Sequence, residues 1–174
     1  MRQFSSIQTK ITAKNIHFYA AIGLTSVRFA ELESLIFHII EKLINSDDKI
    51  ISSTLIEKNS LESNLNLLLK INRSRQYKEE KLYKIVTEIR PLKDKRNLFI
   101  HGVWSDVIVE ANVEYMCCSN HKHIYKKLPD GREWRRYAGE RFTLEELEEI
   151  TIKINPILLD LLSILEELEE KDFH

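Results

Sequence analysis

Glycine, proline and cysteine are all scarce in this chain, and each shortage excludes a class of protein. Four glycines and three prolines in 174 residues leave little room for flexible linkers or low-complexity segments. The two cysteines are neighbours, Cys117 and Cys118, which excludes a disulfide framework and fits a reducing compartment. We therefore expect one cytoplasmic domain, residues 1–174, that is stabilised by an ordinary hydrophobic core.

Long apolar runs are missing as well. No stretch reaches the roughly 20 apolar residues that a membrane-spanning helix requires. The first ten residues are polar and contain no apolar region of the kind found in signal peptides. The sequence therefore predicts no membrane partner.

Charge is nearly balanced overall, at −1, but it is unevenly distributed. Residues 70–136 contain 16 lysines and arginines against nine acidic residues, whereas the rest of the chain contains 10 against 18. A basic middle between acidic ends indicates a surface for polyanions. The alternative is an ordinary set of solvated helix faces.

Apolar residues recur at helical spacing in four segments, which predicts a bundle. The segments are residues 27–44, 60–71, 78 to about 103, and 143–168. Thr25 or Ser26 is a candidate N-cap for the first helix, although Ala20-Ala21 would allow an earlier start. Pro91 predicts a kink and not an end, because the apolar spacing continues beyond it. Thr143 and Glu146 form a capping-box pattern before the last helix.

Between Trp104 and Phe142 the pattern changes to that of strands. Residues 107–109, 113–118 and 132–142 have strand character, and Pro129-Asp130-Gly131 is a turn signal. We predict a small antiparallel insert of three strands, at about residues 106–142. The expected fold class is mainly α: an up-and-down bundle of four to five helices with this β insert before the last helix.

The most informative segment lies at the end of the third predicted helix, where Arg96, Asn97 and His101 occur together. Arg96 continues the apolar stripe seven residues after Ile89, and a cation at an inward position needs a partner or a cleft. Asn97 and His101 are four residues apart and share a helix face, so all three can border one cavity. Gly102 then permits close approach of another group.

Arginine binds phosphate in a planar fork, and histidine transfers protons near neutral pH. Arg96, Asn97 and His101 are therefore candidate catalytic residues for phosphodiester chemistry. The alternative is structural: Arg96 pairs with a helix carboxylate such as Glu31 or Glu33, and His101 caps a helix C-terminus.

Candidate RNA-binding residues surround this segment and recur in the β insert. They are Lys93, Lys95, Trp104, Arg132, Arg135 and Arg136. Around Trp134 and Tyr137, arginines alternate with aromatic residues, as in surfaces that bind single-stranded nucleic acid. An exposed β ribbon whose arginines lie along the surface is the competing interpretation.

Cys117 and Cys118, with His121 and His123, resemble a cluster of zinc ligands. Neighbouring residues of a strand point to opposite faces, however, so two adjacent cysteines rarely bind one ion. We favour packing as their role and expect no metal and no cofactor.

The Arg96-x4-His101 spacing, with Asn97, Gly102 and Trp104, resembles the HEPN (higher eukaryotes and prokaryotes nucleotide-binding) superfamily. Further likeness lies in Phe29-Ala30-Glu31-Leu32-Glu33 and in Thr143-Leu144-Glu145-Glu146-Leu147, so that it covers about residues 20–170. The resemblance implies a helical bundle and a metal-independent endoribonuclease, such as a toxin or phage-defence effector, that acts as a homodimer. It equally implies an alternative, a non-catalytic module that binds RNA, a nucleotide or a protein partner.

In such ribonucleases the site is shared between two chains, and here the interface would include residues 96–104. His101 would act as general base or acid, Arg96 would hold the scissile phosphate, and Asn97 would orient His101 or donate to a phosphate oxygen. A protein regulator or antitoxin is a further implied partner. Where some members carry a tyrosine that a partner enzyme modifies, this chain has Val103, so we do not expect that mode of control.

Overall fold

The computed structural model describes residues 13–45, 49–127 and 133–170, with side chains over the same ranges except at 49, 51 and 120–138. Five helices and four strands occur there: α1 (Ala13–Ile44), α2 (Lys49–Glu57), α3 (Leu61–Arg75), α4 (Glu79–His101), β1 (Val103–Trp104), β2 (Ile108–Glu110), β3 (Val113–Lys127), β4 (Glu133–Thr143) and α5 (Leu144–Glu169). The chain is mainly helical, with a small antiparallel sheet before the last helix, so the predicted fold class is confirmed. No helix in these ranges is long and apolar enough to cross a bilayer.

The two long helices α1 and α5 lie side by side and run in the same direction. Near their N-termini the hydroxyls of Thr25 and Thr151 are 2.9 Å apart, and near their C-termini Lys42 lies 3.9 Å from Glu169. Helix α4 runs the opposite way beside α5, because its first turns contact the C-terminal half of α5 through Lys81 and Asp160. Leucine, isoleucine and phenylalanine side chains from the bundle and the sheet form one continuous core.

Helix α1 begins well before the predicted boundary, so Thr25 and Ser26 are not N-caps. Their hydroxyls donate to the carbonyls one turn earlier, those of Ala21 and Ile22, at 3.0 Å each. A hydroxyl that is satisfied in this way can stay inside a helix instead of ending it. Gly23 is likewise internal to the helix.

The other helices agree with the sequence, with one omission. Helix α4 continues through Pro91, as the apolar spacing indicated. The capping box at the start of α5 is confirmed in both directions, between Thr143 and Glu146. Helix α2 was not predicted, because its nine residues are rich in serine and β-branched side chains and are too few to show a clear period.

The sheet has four strands and not three. The two-residue strand β1 follows α4 almost directly and pairs with β3 through Trp104 and Cys118. The tight turn that joins β2 and β3 has positive φ at Ala111 and Asn112. Strand β3 is longer than predicted, with a register shift between Asn120 and Ile124 where the sequence indicated an end. The predicted turn at Pro129-Asp130-Gly131 lies outside the described residues.

Candidate functional site

Arg96 lies where α4 faces α1, with 26% of its side chain exposed. One guanidinium nitrogen, Nη2, is 3.6 Å from Oε1 of Glu33 on α1, and Nη1 donates to Oδ1 of Asn97 at 3.2 Å. Arg96 faces the bundle, as its helical register predicted. The carboxylate that it meets is one of the two that the structural alternative named.

The hydrogen-bonding capacity of Arg96 is incompletely used. A guanidinium has five N–H donors, and a separation of 3.6 Å is too long for a hydrogen bond. Its Nε atom is buried and has no partner among the described residues. A buried Nε cannot be reached from solvent, so the unused donor available to an anion is Nη2, which makes no hydrogen bond among the described residues and is not fully buried.

An open cleft of about 440 Å³ adjoins this guanidinium. Arg96 and Asn97 line it from α4 and Glu33 lines it from α1, while the N-terminal turn of α3 closes the far side. His101 is not among its lining residues. The expectation that all three motif residues border one cavity therefore applies within one chain to Arg96 and Asn97 only.

His101 is the last residue of α4, and its side chain is exposed. His101 lies five positions after Arg96 and four after Asn97, which places it about 140° around the helix and about 7.5 Å along the axis from Arg96, but only about 40° around from Asn97. No hydrogen bond or ion pair holds its ring among the described residues. The exposed imidazole therefore lies at the helix end, beyond the residues that line the cleft.

The backbone beneath His101 is held firmly by the sheet. Gly102 donates its N–H to the carbonyl of Leu98 at 2.7 Å, and the Cys118 thiol of β3 donates to the same oxygen at 3.3 Å. A Cβ atom at Gly102 would lie only 2.3 Å from the Cys118 sulfur. Only glycine permits this close approach, which fixes the end of α4 and the position of His101.

Trp104 lies at the edge of the hydrophobic core. Its indole N–H donates to the carbonyl of Phe99 at 2.9 Å, and its half-buried ring packs against the rings of Phe99 and Phe142 at centroid distances of 5.4 and 5.8 Å. These contacts occupy the indole, so the structure gives Trp104 a role at the junction of α4 and the sheet. Lys95 also contacts this cluster, 5.2 Å above the Phe142 ring, and pairs with Glu140.

Each lysine and arginine of α4 has a carboxylate within 4 Å. The six pairs are Lys81–Asp160, Lys84–Glu88, Arg90–Glu62, Lys93–Glu62, Lys95–Glu140 and Arg96–Glu33. The Lys93 ammonium, 2.5 Å from Glu62, is the main cause of a lowered pKa of that carboxyl. The positive charge that the sequence concentrates in this helix is thus largely neutralised by carboxylates from the other elements.

Three predicted RNA-binding residues remain, and they are Arg132, Arg135 and Arg136. Arg135 and Arg136 are in β4, where their backbones pair with Tyr125 and Ile124 of β3. Their side chains, and Arg132 entirely, lie outside the described part of the structure. This predicted surface stays a prediction.

The two cysteines differ in environment. Cys118 is buried, and burial raises its thiol pKa to about 11. Cys117 is half-buried, with its backbone N–H donating to the Ser105 hydroxyl at 2.9 Å. A high pKa disfavours the thiolate that zinc requires. Among the described side chains, no group of three or more histidine, cysteine and carboxylate residues is placed to hold a metal.

The sequence did not predict that Glu62 and Asn66 of α3 lie opposite the cations of α4. Glu62 of α3 accepts from both Arg90 and Lys93, and Arg90 also donates to Asn66 at 2.8 Å. Glu62 has no local signal, because its partners are about 30 residues away on another helix. Only the packing of α3 against α4 brings them together.

No protein-family model matches this chain, and no curated protein or solved structure is significantly similar to it.

Proposed function

We propose that this protein is a metal-independent endoribonuclease of the HEPN type. Arg96 binds the scissile phosphate. His101 either removes the proton of the attacking ribose 2′-hydroxyl or donates a proton to the leaving 5′-oxygen. Asn97 holds the guanidinium through its side-chain oxygen. Internal attack leaves a 2′,3′-cyclic phosphate and a 5′-hydroxyl, so DNA, which lacks the attacking group, is not cleaved.

The observation that carries this proposal is the open cleft beside an arginine with unused donors. A phosphate oxygen can replace Glu33, whose contact is too long for a hydrogen bond, and can accept from the guanidinium fork. Glu33 then moves toward solvent, where its partly exposed carboxylate is readily hydrated. The cleft thus offers the geometry that an anionic substrate requires.

The position of His101 favours a site shared by two chains. Within one chain, His101 does not line the cleft that Arg96 and Asn97 border. A second copy whose α4 end approaches the first can place its own His101 beside the Arg96 cleft of the other chain.

A non-catalytic module that binds RNA, a nucleotide or a protein is the second candidate. The observation that favours it is the neutralisation of α4, because a helix whose cations are all paired has a weaker field for steering RNA. In that case Arg96 has a structural role opposite Glu33. The two candidates make different predictions for the loss of His101. RNA cleavage is lost if the protein is a ribonuclease, and no activity changes if it is a binding module.

The decisive experiment is an RNA cleavage assay with matched histidine variants. His101→Ala and Arg96→Ala should each lower the cleavage rate on the order of 10²-fold or more. His38→Ala removes another exposed histidine, on α1, and should cleave like wild type. EDTA should have no effect on cleavage.

Cleavage that persists in His101→Ala, stops with EDTA, or proceeds equally on DNA would reject the mechanism. A wild-type protein that is inactive on varied RNAs, yet binds RNA less well after Arg96→Ala, would establish the second candidate.

A further inference from the structure

Helix α1 has an outward-facing line of small and apolar residues, which we call the α1 stripe. Its members are Ile16, Ala20, Gly23, Val27, Ala30 and Ser34, and all six are exposed. They alternate at spacings of four and three residues, the heptad pattern of helices that pack against another helix. A Cβ atom added at Gly23 would have no atom of the described residues within 4 Å, so none of them covers this part of the helix.

Helix α5 has a second such line, the α5 stripe, made of Ile152, Asn155, Leu159 and Leu162. It has the same alternating spacing, but its side chains are large, and Leu159 is 67% exposed. Glu148 and Glu166 bound it at either end. Exposed leucine and isoleucine in a continuous helical row are typical of an interaction surface.

The two stripes belong to one face of the molecule. Because α1 and α5 run side by side in the same direction, Ala30 and Ser34 meet Asn155, Leu159 and Leu162 across a groove of about 800 Å³. Among the described residues, Arg28 and Glu31, which pair with each other, are the charged side chains that line this groove. The face is therefore broad, apolar and two helices wide.

The two stripes differ in size, because four of the six α1-stripe residues are glycine, alanine or serine, whereas three of the four α5-stripe residues are leucine or isoleucine. Small residues on one helix leave space for large residues on a facing helix, and this alternation is how helical layers interdigitate. Within one chain the two stripes lie side by side and cannot face each other. A second copy provides what each stripe lacks, because it brings a small α1 stripe to the large α5 stripe and the reverse.

The charges of the two helices favour the same arrangement. Helix α5 contains eight carboxylates and one lysine, whereas α1 contains three basic and three acidic residues. Pairing α5 with α5 would bring two strongly acidic helices together, which is unfavourable. Pairing α5 with the neutral α1 avoids this repulsion.

We propose that this face joins two copies of the chain, with the α1 stripe of each packed on the α5 stripe of the other. A two-fold axis parallel to the helices keeps residues at the same height, so Val27 of one copy meets residues 152–155 of its partner. Glu33, which contacts Arg96, is not part of the α1 stripe. No residue of either stripe lines the Arg96 cleft, so the contact is separate from the cleft and does not depend on the ribonuclease proposal.

Sedimentation equilibrium tests the location of the contact. At tens of micromolar protein, Leu159→Glu should halve the molar mass of the wild-type assembly, because a buried charge at the centre of the stripe is unpaired. Tyr83→Glu, which replaces an equally exposed apolar residue on α4, should leave the mass unchanged. Unchanged helical circular dichroism in both variants excludes misfolding.

Disulfide trapping tests the reciprocal arrangement, in chains where Cys117 is replaced by serine. A mixture of Val27→Cys and Asn155→Cys proteins should form the mixed disulfide, whereas either protein alone should not. A monomeric wild type, a Leu159→Glu assembly of unchanged mass, or a disulfide between two Val27→Cys chains would each overturn the proposal.

Discussion

At the scale of single residues, the chemistry of Arg96 depends on its fork and not only on its charge. Arg96→Lys keeps a cation opposite Glu33 but loses the paired donors that grip a phosphate from two directions. We expect this variant to lose about as much RNA cleavage as Arg96→Ala while retaining the wild-type melting temperature. Cleavage rates and a thermal melt of the same samples test this. Wild-type activity in Arg96→Lys would show that charge alone is sufficient.

The two cysteines provide a second test at this scale. A thiol pKa of about 11 leaves roughly one Cys118 in a thousand as thiolate at pH 8, and the side chain is buried. We expect a thiol reagent to modify Cys117 first and Cys118 only as the protein unfolds. Mass spectrometry of a Cys117→Ser variant over time measures this. Rapid labelling of Cys118 in the folded protein would contradict the packing at the end of α4.

At the scale of elements, the sequence predicted best where periodicity and capping are local. The sequence correctly predicted the capping box of Thr143 and Glu146 and the continuation of α4 through Pro91. Each depends on residues within one or two helical turns. The start of α1 could not be predicted, because Thr25, which donates locally to the Ala21 carbonyl, lies inside the helix and is buried against Thr151, 126 residues away in the chain. For the same reason, the sequence predicted that Arg96 faces the bundle but could not decide whether its partner is Glu31 or Glu33.

The junction of α4 and β3 yields a prediction about stability. Gly102→Ala places a methyl group 2.3 Å from the Cys118 sulfur and 2.4 Å from the Leu98 carbonyl oxygen. Such overpacking should lower the free energy of unfolding by about 1–3 kcal/mol. Gly139→Ala is the matched control, because its nearest contact would be an ordinary 3.6 Å. Equal stability of the two variants in urea would contradict the close approach.

At the scale of the whole molecule, helix α4 is joined to its neighbours by ion pairs, which makes stability depend on pH. The carboxyl pKa values of Glu62 and Glu167 are lowered, chiefly by hydrogen bonds from Lys93 and Lys78. A lowered folded-state pKa gives stabilisation that is present above the unfolded value of about 4.3 and is lost as pH falls through the folded value. Both carboxylates are partly exposed, so each contribution is small.

We therefore expect the melting temperature to be flat from neutral pH to about pH 5 and to fall below that. Glu62→Gln should lower stability at neutral pH and reduce the acid dependence, because its contribution is already absent. Glu148→Gln, an exposed change on α5 at a carboxylate with no ion pair among the described residues, should follow the wild-type curve. A Glu62→Gln protein with the wild-type pH profile would show that these pairs contribute nothing measurable.

The most direct test of the proposed function is to mix two inactive proteins, His101→Ala and Arg96→Ala. If each site takes Arg96 from one chain and His101 from the other, every mixed dimer has one complete site. Random exchange at equal concentrations should then restore about one quarter of wild-type RNA cleavage, while each protein alone stays inactive. No recovery after subunit exchange, demonstrated by mass in the same sample, would contradict a site shared between two chains.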